Sequence, residues 1–92
     1  MRANVYFTRE ITPEKVVELY RALGVELPGK VAVKVHSGEK GNQNFLRPEF
    51  WCPMVEEVHG TIVECNTAYG DAAGGVRDHT ESHRKLLQEH GW

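Results

Sequence analysis

His36 stands where the apolar run Val31–Val35 gives way to a polar loop. An imidazole at the end of a buried strand is placed to bind a ligand; the plainer reading is a ring that caps a neighbouring carbonyl. His79 and His83 are four residues apart and share a face if the segment is helical. Such a pair chelates a divalent metal when a third ligand arrives from elsewhere, and Cys65 would offer sulfur at a nearby strand end. The run His79-Thr80-Glu81-Ser82-His83 lacks the residue order of a metalloprotease helix, and solvated helix histidines are its simpler reading. His36 and His83 are the candidate metal pair.

Two polar segments follow apolar runs, His36 to Asn44 and Asn66 to Arg77, and both are longer than connectivity requires. Glu39 and Glu64 are available as a carboxylate pair, although glutamates more often point into solvent. The stretch Gly70-Asp71-Ala72-Ala73-Gly74-Gly75 precedes a helix start and could cradle an anion on backbone N–H groups. It matches neither glycine-rich phosphate motif, and Asp71 and Asp78 oppose an anion. Cys52 and Cys65 read as buried thiols in a reducing compartment. Phe50 and Trp51 read as core side chains rather than a stacking platform.

Positioning these groups requires strands and helices in alternation. Asn4–Thr8 is short, aromatic and β-branched, as a first strand should be. Thr12-Pro13-Glu14 opens a helix with Thr12 as N-cap, and Val16, Leu19, Tyr20 and Leu23 form its apolar stripe before Gly24 stops it. Val31–Val35 predicts a second strand covered on both faces. A second helix after Pro48 carries Phe50, Trp51, Met54, Val55 and Val58, is kinked or delayed by Pro53, and ends at Gly60. Thr61–Cys65 predicts a third strand, and Asp78 with Glu81 has capping-box spacing for a third helix. The order β-α-β-α-β-α implies an α/β three-layer unit with a short parallel sheet, an incomplete Rossmann-like domain over residues 1–92. Trp92 reads as the first residue of a fourth strand, so the chain is expected to be an amino-terminal portion, or to complete its sheet as a homo-oligomer.

The 92 residues carry 11 Lys plus Arg against 13 Asp plus Glu, and 40% are hydrophobic. A near-neutral balance argues against a phosphate-neutralising nucleic-acid binder. No apolar run reaches the length of a membrane span, and MRANVYFTRE has no signal-peptide core, so a cytoplasmic protein is expected. Two cysteines are too few for a disulfide scaffold.

Lys30-Val31-Ala32-Val33-Lys34-Val35-His36-Ser37-Gly38-Glu39-Lys40-Gly41-Asn42, followed by Phe45-Leu46-Arg47-Pro48-Glu49, resembles the start of the bacterial and archaeal family called domain of unknown function 362. Cys65-Asn66-Thr67-Ala68-Tyr69-Gly70 and the segment from His83 to Trp92 fit the same pattern. The resemblance covers nearly the whole chain. It implies that His36, Gly38, Glu39, Asn66, Thr67 and His83 lie on the family's motif positions, and these six are the candidate ligand-binding residues. Members are longer proteins of unsettled activity, many described as iron–sulfur proteins because a ferredoxin-type domain follows. With Cys52 and Cys65 alone, this chain by itself holds no [4Fe–4S] cluster. The resulting expectation is half of a small-molecule or metal-dependent site, of redox or carbanion type, at the strand carboxyl ends. A non-catalytic assembly domain is the alternative.

Overall fold

The computed structural model describes residues 2–70 and 74–92 as a mixed α/β arrangement. Its elements run α1 (Pro13–Leu23), β1 (Ala32–Lys34), α2 (Pro48–Glu57), β2 (Thr61–Val63) and α3 (Thr80–Glu89). β1 and β2 pair in parallel with Ala32 opposite Thr61 and Lys34 opposite Val63, so their carboxyl ends point the same way. α1 packs on α2. No helix among the described residues is long and apolar enough to cross a membrane.

Local chemistry sets the helix boundaries. The Thr12 hydroxyl accepts the Lys15 N–H at 3.2 Å, Pro13 occupies the first turn, and Gly24 closes α1 at φ 64°. These are the expected boundaries. α2 begins at Pro48 and continues past Pro53, whose missing N–H leaves the Glu49 carbonyl without its helical donor. The stop is made by His59 rather than Gly60. His59 adopts φ 49° and donates to the Glu56 carbonyl, while Gly60 donates to Val55, a Schellman closure. Gly60 serves a different end, because a Cβ there would sit 2.7 Å from the Val33 side chain.

α3 starts one residue later than the capping-box spacing suggests. His79, in extended conformation, is its N-cap and makes no side-chain capping bond. Asp78 instead contacts His79 Nε2 at 3.4 Å and packs against Gly70. α3 also ends in a Schellman closure, Gly91 donating to Gln88 and Trp92 to Leu87. Trp92 therefore belongs to a helix cap, and the strand start expected there is not formed.

Three further expectations are corrected. Asn4–Thr8 is not a strand: no described backbone hydrogen bond involves residues 2–7, and a strand exists only through its partner. The thiols of Cys52 and Cys65 are exposed, not buried. Both are expected to alkylate in the native protein without unfolding, and protection of either from a thiol reagent would contradict this placement. Phe50 and Trp51 are only half-buried, and no residue of α2 is fully covered.

The buried apolar side chains are Val17, Val35, Phe45 and Leu86, joined by the polar Ser37, Arg77 and His83. Val16, Leu19 and Tyr20 on the expected buried face of α1 are half-covered and Leu23 is exposed. With Val5, Tyr6 and Met54 they line an open apolar groove of about 490 Å³.

Candidate functional site

Beyond the carboxyl end of β1 the chain keeps its alternation: Val35 is buried, His36 exposed and Ser37 fully buried. The Val35 N–H still reaches the Val63 carbonyl at 3.2 Å, which brings the residue after β2, Glu64, beside Ser37. Glu64 Oε2 accepts the Ser37 N–H at 2.9 Å and the Ser37 hydroxyl at 3.0 Å, and Oε1 accepts the Cys65 N–H and pairs with Lys34. The carboxylate is 7% exposed. Burial pushes its pKa up, but the Lys34 ammonium, the backbone donors and the Ser37 hydroxyl outweigh that and lower it to about 2.

Glu39 and Glu64 meet around one cation. Arg77, whose side chain is 8% exposed, donates Nε–H to Glu39 Oε2 at 2.9 Å and places Nη1 4.0 Å from Glu64 Oε2. Glu39 Oε1 also accepts the N–H groups of Lys40 and Val76. Burial raises the Glu39 pKa, yet the Arg77 hydrogen bond and these donors leave it below the ordinary range. The pair thus forms a buried ion cluster, not two solvated glutamates. An acid and base working together need pKa values pushed apart, and these are both pushed down.

His83 is 3% exposed. Its Nε2 lies 3.2 Å from the Ser37 hydroxyl and its Nδ1 lies 3.0 Å from Asn66 Oδ1, while Asn66 Nδ2 donates to Thr80 Oγ1 at 3.0 Å. Hydroxyl, imidazole and amide stand in the order of a nucleophile, base and orienting group. Ser37 is closed to solvent, however, and its single proton is shared with a carboxylate, so the geometry is that of a locked network.

The proton count allows two arrangements. An imidazolium donates to both Ser37 and Asn66 while Ser37 donates to Glu64. A neutral ring satisfies the same contacts as its Nε2–H tautomer with the Asn66 amide reversed and the Thr80 hydroxyl donating to it. Burial lowers the His83 pKa, with Arg77 adding to the effect and Glu64 opposing it, which favours the neutral form. The outer side of this network borders a cavity of about 180 Å³ between Glu64, Asn66, Thr80, His83, Arg84 and Leu87.

His36 is elsewhere. Its Nδ1 accepts the Gly38 N–H at 2.9 Å, so Nε2 carries the proton of the neutral ring. It lines a separate cavity of about 220 Å³ with Asn42, Asn44, Phe45, Leu46 and Trp51. His36 thus commits Nδ1 to Gly38, whereas both ring nitrogens of His83 are engaged by Ser37 and Asn66, and the two rings line different cavities. His79, at the exposed N-cap, leaves the helix face that would make it a chelating partner of His83. Among the described residues no three His, Cys, Asp or Glu side chains gather in a way that could hold a metal ion.

Of the expected site residues, Asn66 and His83 are brought together, and Glu39 joins the same cluster through Arg77. Thr67 is occupied locally, its hydroxyl donating to the Tyr69 carbonyl at 2.7 Å. The anion cradle expected over Gly70–Gly75 includes residues 71–73, which lie outside the described residues. From sequence, no individual site role falls to Ser37, Arg77 or His90, and Trp92 reads only as a strand start. The last two close the site from α3: His90 Nδ1 and Trp92 Nε1 lie 2.9 and 3.2 Å from the Ser37 carbonyl, and His90 stacks on Phe45 at 4.5 Å. Comparison with family models, curated proteins and solved structures found no match.

Proposed function

We propose that the protein binds a small polar molecule at the carboxyl ends of its parallel strands, in the cavity walled by His36, Asn42, Asn44, Phe45, Leu46 and Trp51. The observation that carries this reading is the bond from the Gly38 N–H to His36 Nδ1. It fixes the tautomer and leaves Nε2–H as a donor of known identity beside two aromatic walls. Ligands of parallel sheets bind at this edge. A cavity of about 220 Å³ is below the usual size for a drug-sized ligand, so the ligand is a single ring or the end of something larger. An acceptor oxygen on a planar group suits one imidazole donor in a cavity that Trp51 also lines.

The resemblance to domain of unknown function 362 supports the same placement, since His36 and Gly38 stand on its motif positions. The Rossmann-like three-layer completion of the sheet and a redox role through a neighbouring cluster domain belong to this proposal. The parallel pairing of β1 with β2 supports the first. Benzoate and benzamide are suitable probes, followed by amide chemical shifts. In the wild type, shifts centred on residues 36–51 are expected, with affinity at least tenfold weaker in His36→Ala and in Trp51→Ala. Shifts that are absent, or equal in all three proteins, would count against the site.

A further inference from the structure

The chain exposes more surface than a folded monomer of its mass. Its accessible area is 7127 Å² for 10.4 kDa, where the scaling of folded monomers gives about 5,400 Å². Its radius of gyration of 15.6 Å compares with about 12.3 Å for a compact chain of this length. The excess, about 1,700 Å², falls in the range that one subunit of an obligate homodimer covers. Much of it lies at the amino-terminal segment and the α1–α2 groove: Val5 is 89% exposed, Phe7 80% and Ile11 81%.

That segment is also self-complementary. Arg2-Ala3-Asn4-Val5-Tyr6-Phe7-Thr8-Arg9-Glu10, set antiparallel to itself about Tyr6, places residue i opposite residue 12 − i. Val5 then faces the partner's Phe7, Asn4 faces the partner's Thr8, and Arg2 faces the partner's Glu10. Apolar cross-strand pairs fall at the centre and opposite charges at both ends, the pattern that stabilises a strand pair. Residues 2–7 have no backbone hydrogen bond among the described residues, so their N–H and C=O groups are free to form the ladder. The arrangement is isologous and closes on two copies.

We infer that two copies of this chain associate through residues 4–8, pairing antiparallel about Tyr6, with the α1–α2 groove of each covered beneath the new two-stranded ribbon. The pairing supplies the hydrogen-bond partner that Asn4–Thr8 lacks within one chain, and so restores the strand its composition specifies. It is independent of the ligand cavity, whose walls lie on other residues.

Sedimentation of the full 92-residue chain tests it. The wild type is expected at twice 10.4 kDa. Phe7→Lys, at a position solvated in the single chain, is expected to sediment as a monomer that keeps the helical circular dichroism signal. Arg2→Glu should weaken the dimer roughly three- to tenfold, since each of two symmetric pairs turns repulsive. Combining Arg2→Glu with Glu10→Arg should restore wild-type affinity. A wild-type monomer at 100 µM or above, order-of-magnitude working concentration for a stable pair, would overturn the inference. So would a dimer that survives Phe7→Lys, or a charge exchange that fails to restore it.

Discussion

Gly38→Ala should destabilise the protein by about 3 kcal/mol, from two effects acting at one position. Gly38 sits at φ 86°, where a side chain costs roughly 1–2 kcal/mol. A Cβ there would also lie 2.7 Å from Phe45 Cγ. Phe45 has little room to yield, because His90 stacks on it and the Arg47 guanidinium lies 4.0 Å from its ring centroid. Overpacking of that kind costs about 1–3 kcal/mol. Domains of this size have only about 5–15 kcal/mol of stability in all. The expected result is a large fall in the urea midpoint at unchanged slope. A variant within about 0.5 kcal/mol of wild type, the ordinary range for a surface change, would show that the loop accommodates a side chain.

The second large effect is in acid. Glu64 titrates at about 2 in the folded chain against an ordinary 4.5. Its carboxylate therefore contributes about 3 kcal/mol at neutral pH, lost as the pH falls from about 4.5 to about 2. His83 acts in the same direction at higher pH. Its folded pKa lies below the ordinary 6.5, so the unfolded chain takes up the proton first and stability begins to fall as the pH drops through 6.5. A plot of melting temperature against pH should show both declines. Glu64→Gln should shrink the lower one, Glu39 with its lowered pKa keeping the remainder, and cost about 3 kcal/mol at pH 7, while His83→Gln should remove the upper one alone. A Glu64→Gln protein with the wild-type decline below pH 4.5 would sink the assignment.

The elements legible from sequence are those whose signals are local. Thr12, Pro13 and Gly24 bound α1 because capping and a left-handed stop act within one turn. β1 and β2 fall inside Val31–Val35 and Thr61–Cys65, shortened to three residues each. Asn4–Thr8 has the composition of a strand, but no composition supplies the neighbour that a ladder needs. His59 stops α2 in place of Gly60 because the glycine is required at the next residue, where Val33 approaches. In the site, Asn66 and His83 hydrogen-bond to each other, whereas His36 and Thr67, expected beside them, have other partners. Ser37 and Arg77 were invisible because small hydroxyls and arginines are ordinarily solvated. Their burial depends on Glu39 and Glu64 converging from separate strand ends, which no spacing along the chain encodes.

The Ser37 carbonyl, held by both His90 and Trp92, ties residues more than fifty positions apart. Contacts of such separation delay closure, since the intervening chain must lose its freedom before they form. On a ribosome, α1 can form as soon as it emerges, but the network around Ser37 must wait for residues 83–92. Amide exchange should carry the same imprint: the Ser37 N–H opens with the whole molecule, while the amides of α1 open ahead of it.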